Sequence, residues 1–124
     1  MKYMLLIYHE ESAWTSHSEP ERQDIYRQYR ELIEELTRDG KYLVGDQLQP
    51  VETANSVRVR DNKPVITDGP FAETREQLGG FFLVEAKDMA EANAIAARIP
   101  SALTGTIEVR PVVSATTAKS STAD

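Results

Sequence analysis

Apolar residues along this chain change their spacing several times, and each change marks a new element. Lys2 to Tyr8 is a short aliphatic and aromatic run, too brief for a helix, and reads as a buried central strand. His9 to Glu19 is polar, carries the one tryptophan, Trp14, and reads as a loop. Ser18, Pro20 and Glu21 then give a helix start: a capping hydroxyl, a residue preset for the first turn, and an acid near the positive end. From Glu21 to Asp39, the residues Ile25, Tyr29, Leu32, Ile33 and Leu36 recur at helical spacing and form one apolar face, which Gly40 ends.

Tyr42-Leu43-Val44 is a second strand leading into Gly45-Asp46. Ser56 to Arg60 alternates valine with arginine, Asp61-Asn62 turns the chain, and Pro64 to Thr67 returns, so the pair reads as a β-hairpin. Pro64 has no N–H for a ladder, which predicts an edge position. Ala72 to Leu78 is predicted as a short helical turn ended by Gly79-Gly80. Phe81 to Val84 is the most strand-like run in the chain. Asp88 caps a second helix over Met89 to Arg98, Pro100 ends it, and Thr106 to Arg110 alternates as the last strand. Ser114 to Asp124 has no periodicity and reads as a flexible tail, leaving one domain over residues 1–113.

The order is β-α-β, a hairpin, then β-α-β. Two helices cannot cover both faces of such a sheet. The expectation is therefore an α+β, ferredoxin-like antiparallel sheet with both helices on one face. The other face would present apolar side chains to water, and a homodimer pairing two sheets is the simplest remedy.

Composition narrows the function classes. At 124 residues, 40% hydrophobic and 27% charged, the chain has room for one ordinary globular core. A net charge of −6 speaks against nucleic acid and anionic membranes as partners. With no cysteine there are no disulfides and no thiolate chemistry, and no run approaches the roughly 20 apolar residues of a membrane-spanning helix. The opening residues lack a small-residue cleavage site. Together these predict a soluble, cytoplasmic protein. No phosphate-cradling glycine loop, nucleophile elbow or dinucleotide fingerprint is present, so no cofactor is expected.

Asp68 leads the candidates for chemistry. Held by Gly69 and Pro70 at a strand end, its carboxylate could serve as a general base in a cleft. Equally, an Asp there can fix the turn by bonding backbone amides. Phe71 reads as a core or interface anchor before a substrate stack. Tyr29 belongs to the helical stripe and is either core or the lining of a cleft between helix and sheet, opposite Asp68. His9, at a strand end, is a surface residue or a ligand contact. His9, Glu10, Glu11 and His17 lack a recognised metal-ligand spacing, and no metal site is expected.

The run Thr67-Asp68-Gly69-Pro70-Phe71-Ala72-Glu73-Thr74-Arg75-Glu76-Gln77-Leu78-Gly79-Gly80-Phe81-Phe82 resembles the signature of the DGPF proteins within the YCII-related family. The opening Met1 to Tyr8 and the closing Glu108-Val109-Arg110-Pro111 resemble the same family, so the likeness spans residues 1–113. It implies a dimeric α/β barrel built from two ferredoxin-like subunits, and an association with sigma factors of the extracytoplasmic-function type. Shorter YCII-related proteins are proposed to use a His on the first helix and an Asp just before a Pro after the second. Aligned on Gly40, those positions hold Tyr29 and Ile99 here, so any inherited site would have to centre on Asp68.

Two functions follow. One is a homodimer that binds a small molecule in a cleft near Asp68, with His9, Tyr29, Gly69 and Phe71 nearby. The other is a non-catalytic interaction module whose partner is a sigma factor.

Overall fold

The computed structural model describes residues 1–114. The tail expected over 114–124 lies outside the described residues, Ser114 excepted.

Strand β1 (Lys2–His9) runs into a short helix α1 (Glu11–Thr15) and then the long helix α2 (Glu19–Arg38). Ser18 caps α2 as the sequence predicts. Its hydroxyl accepts from the Glu21 N–H, and the Glu21 carboxylate accepts from the Ser18 N–H in return. Gly40 follows the helix with φ of +72°, the left-handed conformation that glycine reaches without strain. Strand β2 (Tyr42–Gln47) leads through a 3₁₀ turn (Val51–Thr53) to β3 (Asn55–Arg60) and β4 (Lys63–Asp68). Strand β5 (Gln77–Glu85), helix α3 (Met89–Ala97), a second 3₁₀ turn (Pro100–Leu103) and strand β6 (Thr106–Pro111) complete the described chain.

The main sheet has the order β2-β5-β1-β6 with every neighbouring pair antiparallel. Each long helix thus links two parallel strands with a third strand between them, the interlocked pair of split β-α-β units of a ferredoxin-like fold. One sheet face carries Tyr3, Leu5, Ile7, Phe82 and Val84. These pack with Leu32 and Leu36 of α2 and with Ala92, Ile95, Ala96 and Ile99 around α3, forming a single core. Both long helices therefore cover the same face.

The opposite face groups Met4, Leu6, Val44, Phe81 and Leu83 through cross-strand pairs such as Leu6 with Phe81 and Met4 with Leu83. Val44 is 45% exposed there, and Met4, Leu6, Phe81 and Leu83 are half-buried.

Three sequence expectations are corrected. The stretch His9 to Glu19 is not all loop, since Glu11–Thr15 is helical; that helix buries no residue and has no side-chain cap, so it carries no periodic signal. Ala72 to Leu78 forms no helical turn. There Thr74 Oγ1 donates to the Glu76 carbonyl and Gln77 Nε2 to the Thr74 carbonyl, and these local bonds compete with helix formation. Gly79-Gly80 is not a turn but lies inside β5. Ile7 pairs with Gly80 and Tyr8 with Leu78, leaving Gly79 as the extra residue of a β-bulge.

The hairpin forms as read. Asp61 and Asn62, with φ of 52° and 62°, make the left-handed turn that suits two twisted strands. It stands as its own two-stranded sheet, so β3 and β4 are both edges and Pro64 costs no ladder bond.

Candidate functional site: a ring-lined cleft beneath the first long helix

Between α2 and the helix-covered sheet face lies a cleft of about 460 Å³. That is a normal size for a small-molecule site. Its floor is Ile7, Phe82, Gly80 and Gly45; Ile25, Tyr26, Tyr29 and Ile33 of α2 form the roof. Helix α1 contributes Trp14, and the turn after α3 contributes Pro100, Ser101 and Leu103.

Aromatic rings dominate its geometry. Phe82 stands edge-on to Tyr42 at 5.2 Å and to Tyr29 at 6.1 Å. Trp14 stands edge-on to Tyr26 at 5.3 Å and to His17 at 6.0 Å, making a corner of ring faces at the mouth. Such T-shaped contacts match the positive edge of one ring to the negative face of another.

Polar groups fix the walls. The Tyr29 hydroxyl and Ser101 Oγ are 2.6 Å apart, tying α2 to the second 3₁₀ turn. Tyr26 donates to Gln47 Oε1 at 3.0 Å, tying α2 to the edge strand β2. The Glu11 N–H donates to Gln77 Oε1, and the Glu11 carboxylate accepts from the Val51 N–H, which anchors α1 from both sides. Burial pushes the Tyr29 phenol above its ordinary pKa, against the opposing Ser101 hydrogen bond. Burial, and then the negative charge of Asp46, raises Tyr42 as well. Both hydroxyls thus stay protonated and can donate at neutral pH.

His9 reaches the cleft because of Gly79. The imidazole lies across the Gly79 backbone so closely that a methyl group there would overlap its Nε2 and Cδ2. Glu10 lies beside it and takes Arg75 Nε at 2.7 Å. Among the described residues no Lys or Arg lines the cleft, and no three His, Cys, Asp or Glu side chains group closely enough to hold a metal ion.

Of the residues named from sequence, His9 and Tyr29 line this cleft, whereas Asp68, Gly69 and Phe71 do not. Asp68 is exposed at the end of β4, not opposite Tyr29. Its Oδ1 lies 3.3 Å from the Asn55 amide once that amide is oriented to donate. The Gly69 N–H donates to the Ala54 carbonyl and the Gly69 carbonyl accepts from Ser56, so the segment clasps the base of the hairpin. Phe71 is 81% exposed. Sequence reading did not bring Trp14, Tyr26 or Ser101 to the site, and weighed His17 only as a metal ligand. Trp14 and Tyr26 were visible as aromatics on otherwise polar surfaces; nothing in the spacing joined Ser101 to Tyr29.

The fold and the cleft define an α+β domain of ferredoxin-like topology with a ring-lined cavity beneath its first long helix. The chain belongs to the YCII-related family: the profile of the YCII-related domain matches residues 1–116. It is also similar to an uncharacterized protein of Rhizobium meliloti (strain 1021), 33% identical over 114 residues that cover 90% of this chain and 92% of that protein. Among the described residues no helix is long and apolar enough to cross a membrane.

Proposed function

We propose that this chain is a small-molecule-binding protein of the DGPF branch, acting as a homodimer. The carrying observation is the cleft, where Tyr29, Tyr42, Phe82 and Trp14 converge with the polar atoms of His9, Ser101 and Gln47. Apolar walls with a few fixed polar groups are the usual make-up of a ligand site. The branch rests on the long run from Thr67 to Phe82. The dimer, and with it the barrel, rests on the apolar sheet face turned away from the two long helices, which water disfavours. Any catalysis would draw on His9 and on the Tyr29–Ser101 pair, with Asp68 a candidate base only if a second copy brought it to the cleft.

The test is a thermal-shift screen of aromatic metabolites, neutral, cationic and anionic, against the wild type and His9→Ala. A cleft ligand raises the melting temperature by mass action, and the shift should shrink in the variant. No hit, or hits indifferent to His9→Ala, would refute the reading.

A specific observation favours a second function. The hairpin face formed by Val57, Val59, Pro64 and Ile66 is exposed, with Ile66 at 63%. Such an arm suits a protein partner, and a sigma factor of the extracytoplasmic-function type is the candidate. Co-purification with that factor, lost in Val57→Asp, would support this role; unchanged co-purification would exclude the hairpin.

A further inference from the structure

Resting on the cleft reading above, we infer that the ligand is a flat ring compound carrying a positively charged amine, not a carboxylate or a phosphate. Size and shape come first. Tyr29 and Tyr42 each stand edge-on to Phe82, leaving ring faces and edges for a planar body to stack against. Ile7 and Ile33 make this end of the cleft largely apolar, with the Asp46 carboxylate beside Tyr42, so it excludes an anion.

Charge follows from the lining. A guanidinium or ammonium group is the strongest partner for an anionic ligand, and among the described residues none lines the cleft. Of the nearby cations, Arg22 is engaged with the Glu19 carboxylate and the His17 carbonyl, and Arg27 with Asp24 and Glu31. The carboxylates do reach the site. Glu10 lines it, and its bond to Arg75 is a surface pair, with Arg75 88% exposed; such pairs are weak and exchange readily.

The mouth supplies the second element of cation recognition. Trp14 meets Tyr26 at an interplanar angle of 75° and His17 at 76°, so the three rings form two adjoining corners beside Glu10. Ring faces at right angles, next to a carboxylate, are the geometry in which an ammonium gains cation–π attraction and a charge partner together. The ring body thus lies inward and the amine outward, in the Trp14 corner.

The test uses three probes that share one ring system: tryptamine, indole and indole-3-acetate, titrated calorimetrically into the full chain at two salt concentrations. Tryptamine should bind about tenfold more tightly than indole-3-acetate, a difference within the reach of one cation–π contact plus one carboxylate. Glu10→Gln and Trp14→Leu should each weaken tryptamine far more than indole and so erase most of that preference. A preference that persists in both variants reflects only the overall negative charge and overturns the assignment of the corner. Equal binding of all three, or a preference for indole-3-acetate, overturns the ligand class but leaves the cleft as a ring-binding site. No binding of any probe overturns both.

Discussion

The Tyr29 hydroxyl sits 2.6 Å from Ser101 Oγ, joining two residues 72 positions apart. Through that contact the long helix and the turn after α3 form one wall of the cleft. Removing it with Tyr29→Phe leaves Ser101 without its partner in a half-buried place. The expected cost is about 1 kcal/mol of unfolding free energy. Urea denaturation should show a lower midpoint with an unchanged slope, since no new surface is exposed.

The same tyrosine sets an alkaline limit on stability. Its folded pKa lies above the unfolded value because burial disfavours the phenolate. The folded state therefore keeps its proton when the unfolded chain has lost its own. Stability from this group is fully present below the ordinary tyrosine pKa of about 10 and is lost as pH rises through the folded pKa. Tyr42 acts in the same direction. Wild-type stability should fall above that pH, and Tyr29→Phe should fall less steeply over the same range.

His9 and Gly79 offer a test of packing at the cleft itself. A Gly79→Ala methyl collides with the tip of a movable side chain, so the imidazole should swing away while the strand persists. Cleft ligands would weaken, and the His9 ring resonances would shift in NMR spectra. In His9→Ala the added methyl has nothing to displace. A double-mutant cycle should consequently show strong coupling between the two positions, and additive effects would contradict the contact.

At the start of α2, Ser18→Ala removes one half of the reciprocal cap, and its cost should be about 1 kcal/mol. The cap also has an acid limit. Bonds from the Ser18 N–H and hydroxyl hold the Glu21 carboxyl below its usual pKa. Its contribution is present above the unfolded glutamate value and disappears as pH falls through the folded one. Circular dichroism at 222 nm during thermal melts at pH 3 and pH 7 should show a smaller Ser18→Ala effect at the lower pH.

The proposed dimer is tested on the open sheet face. Leu83→Glu, opposite Met4 and Val44, introduces a charge where a second sheet would bury it. Sedimentation should give a dimer for the wild type and a monomer for the variant, with the spectrum of the folded subunit retained. A wild-type monomer at micromolar concentration would remove the basis for the paired sheets.

Helix α2, its cap and its glycine stop were legible because each depends on residues within four positions of one another: Ser18 with Glu21, or the stripe from Ile25 to Leu36. The hairpin was legible for the same reason, its turn being written in Asp61-Asn62. Helix α1 was not, because a five-residue helix with no buried side chain leaves no period to read.

The candidate site divides in the same way. His9 and Tyr29 could be picked out one at a time, as a histidine at a strand end and a tyrosine on an apolar stripe. Asp68 was placed opposite Tyr29 on the strength of a local turn, yet its turn belongs to a hairpin that forms a separate sheet. By itself the sequence determined the two long helices, the strands and the hairpin, their order and the apolar face of each helix, but neither α1 nor the stretch from Ala72 to Gly80. Tertiary structure decided that Trp14 would meet Tyr26, that Ser101 would meet Tyr29 and that the Gly79 bulge would admit His9. Hydrogen-bonded periodicity and capping act over a few residues, whereas strand register and helix docking bring together side chains that no spacing along the chain connects.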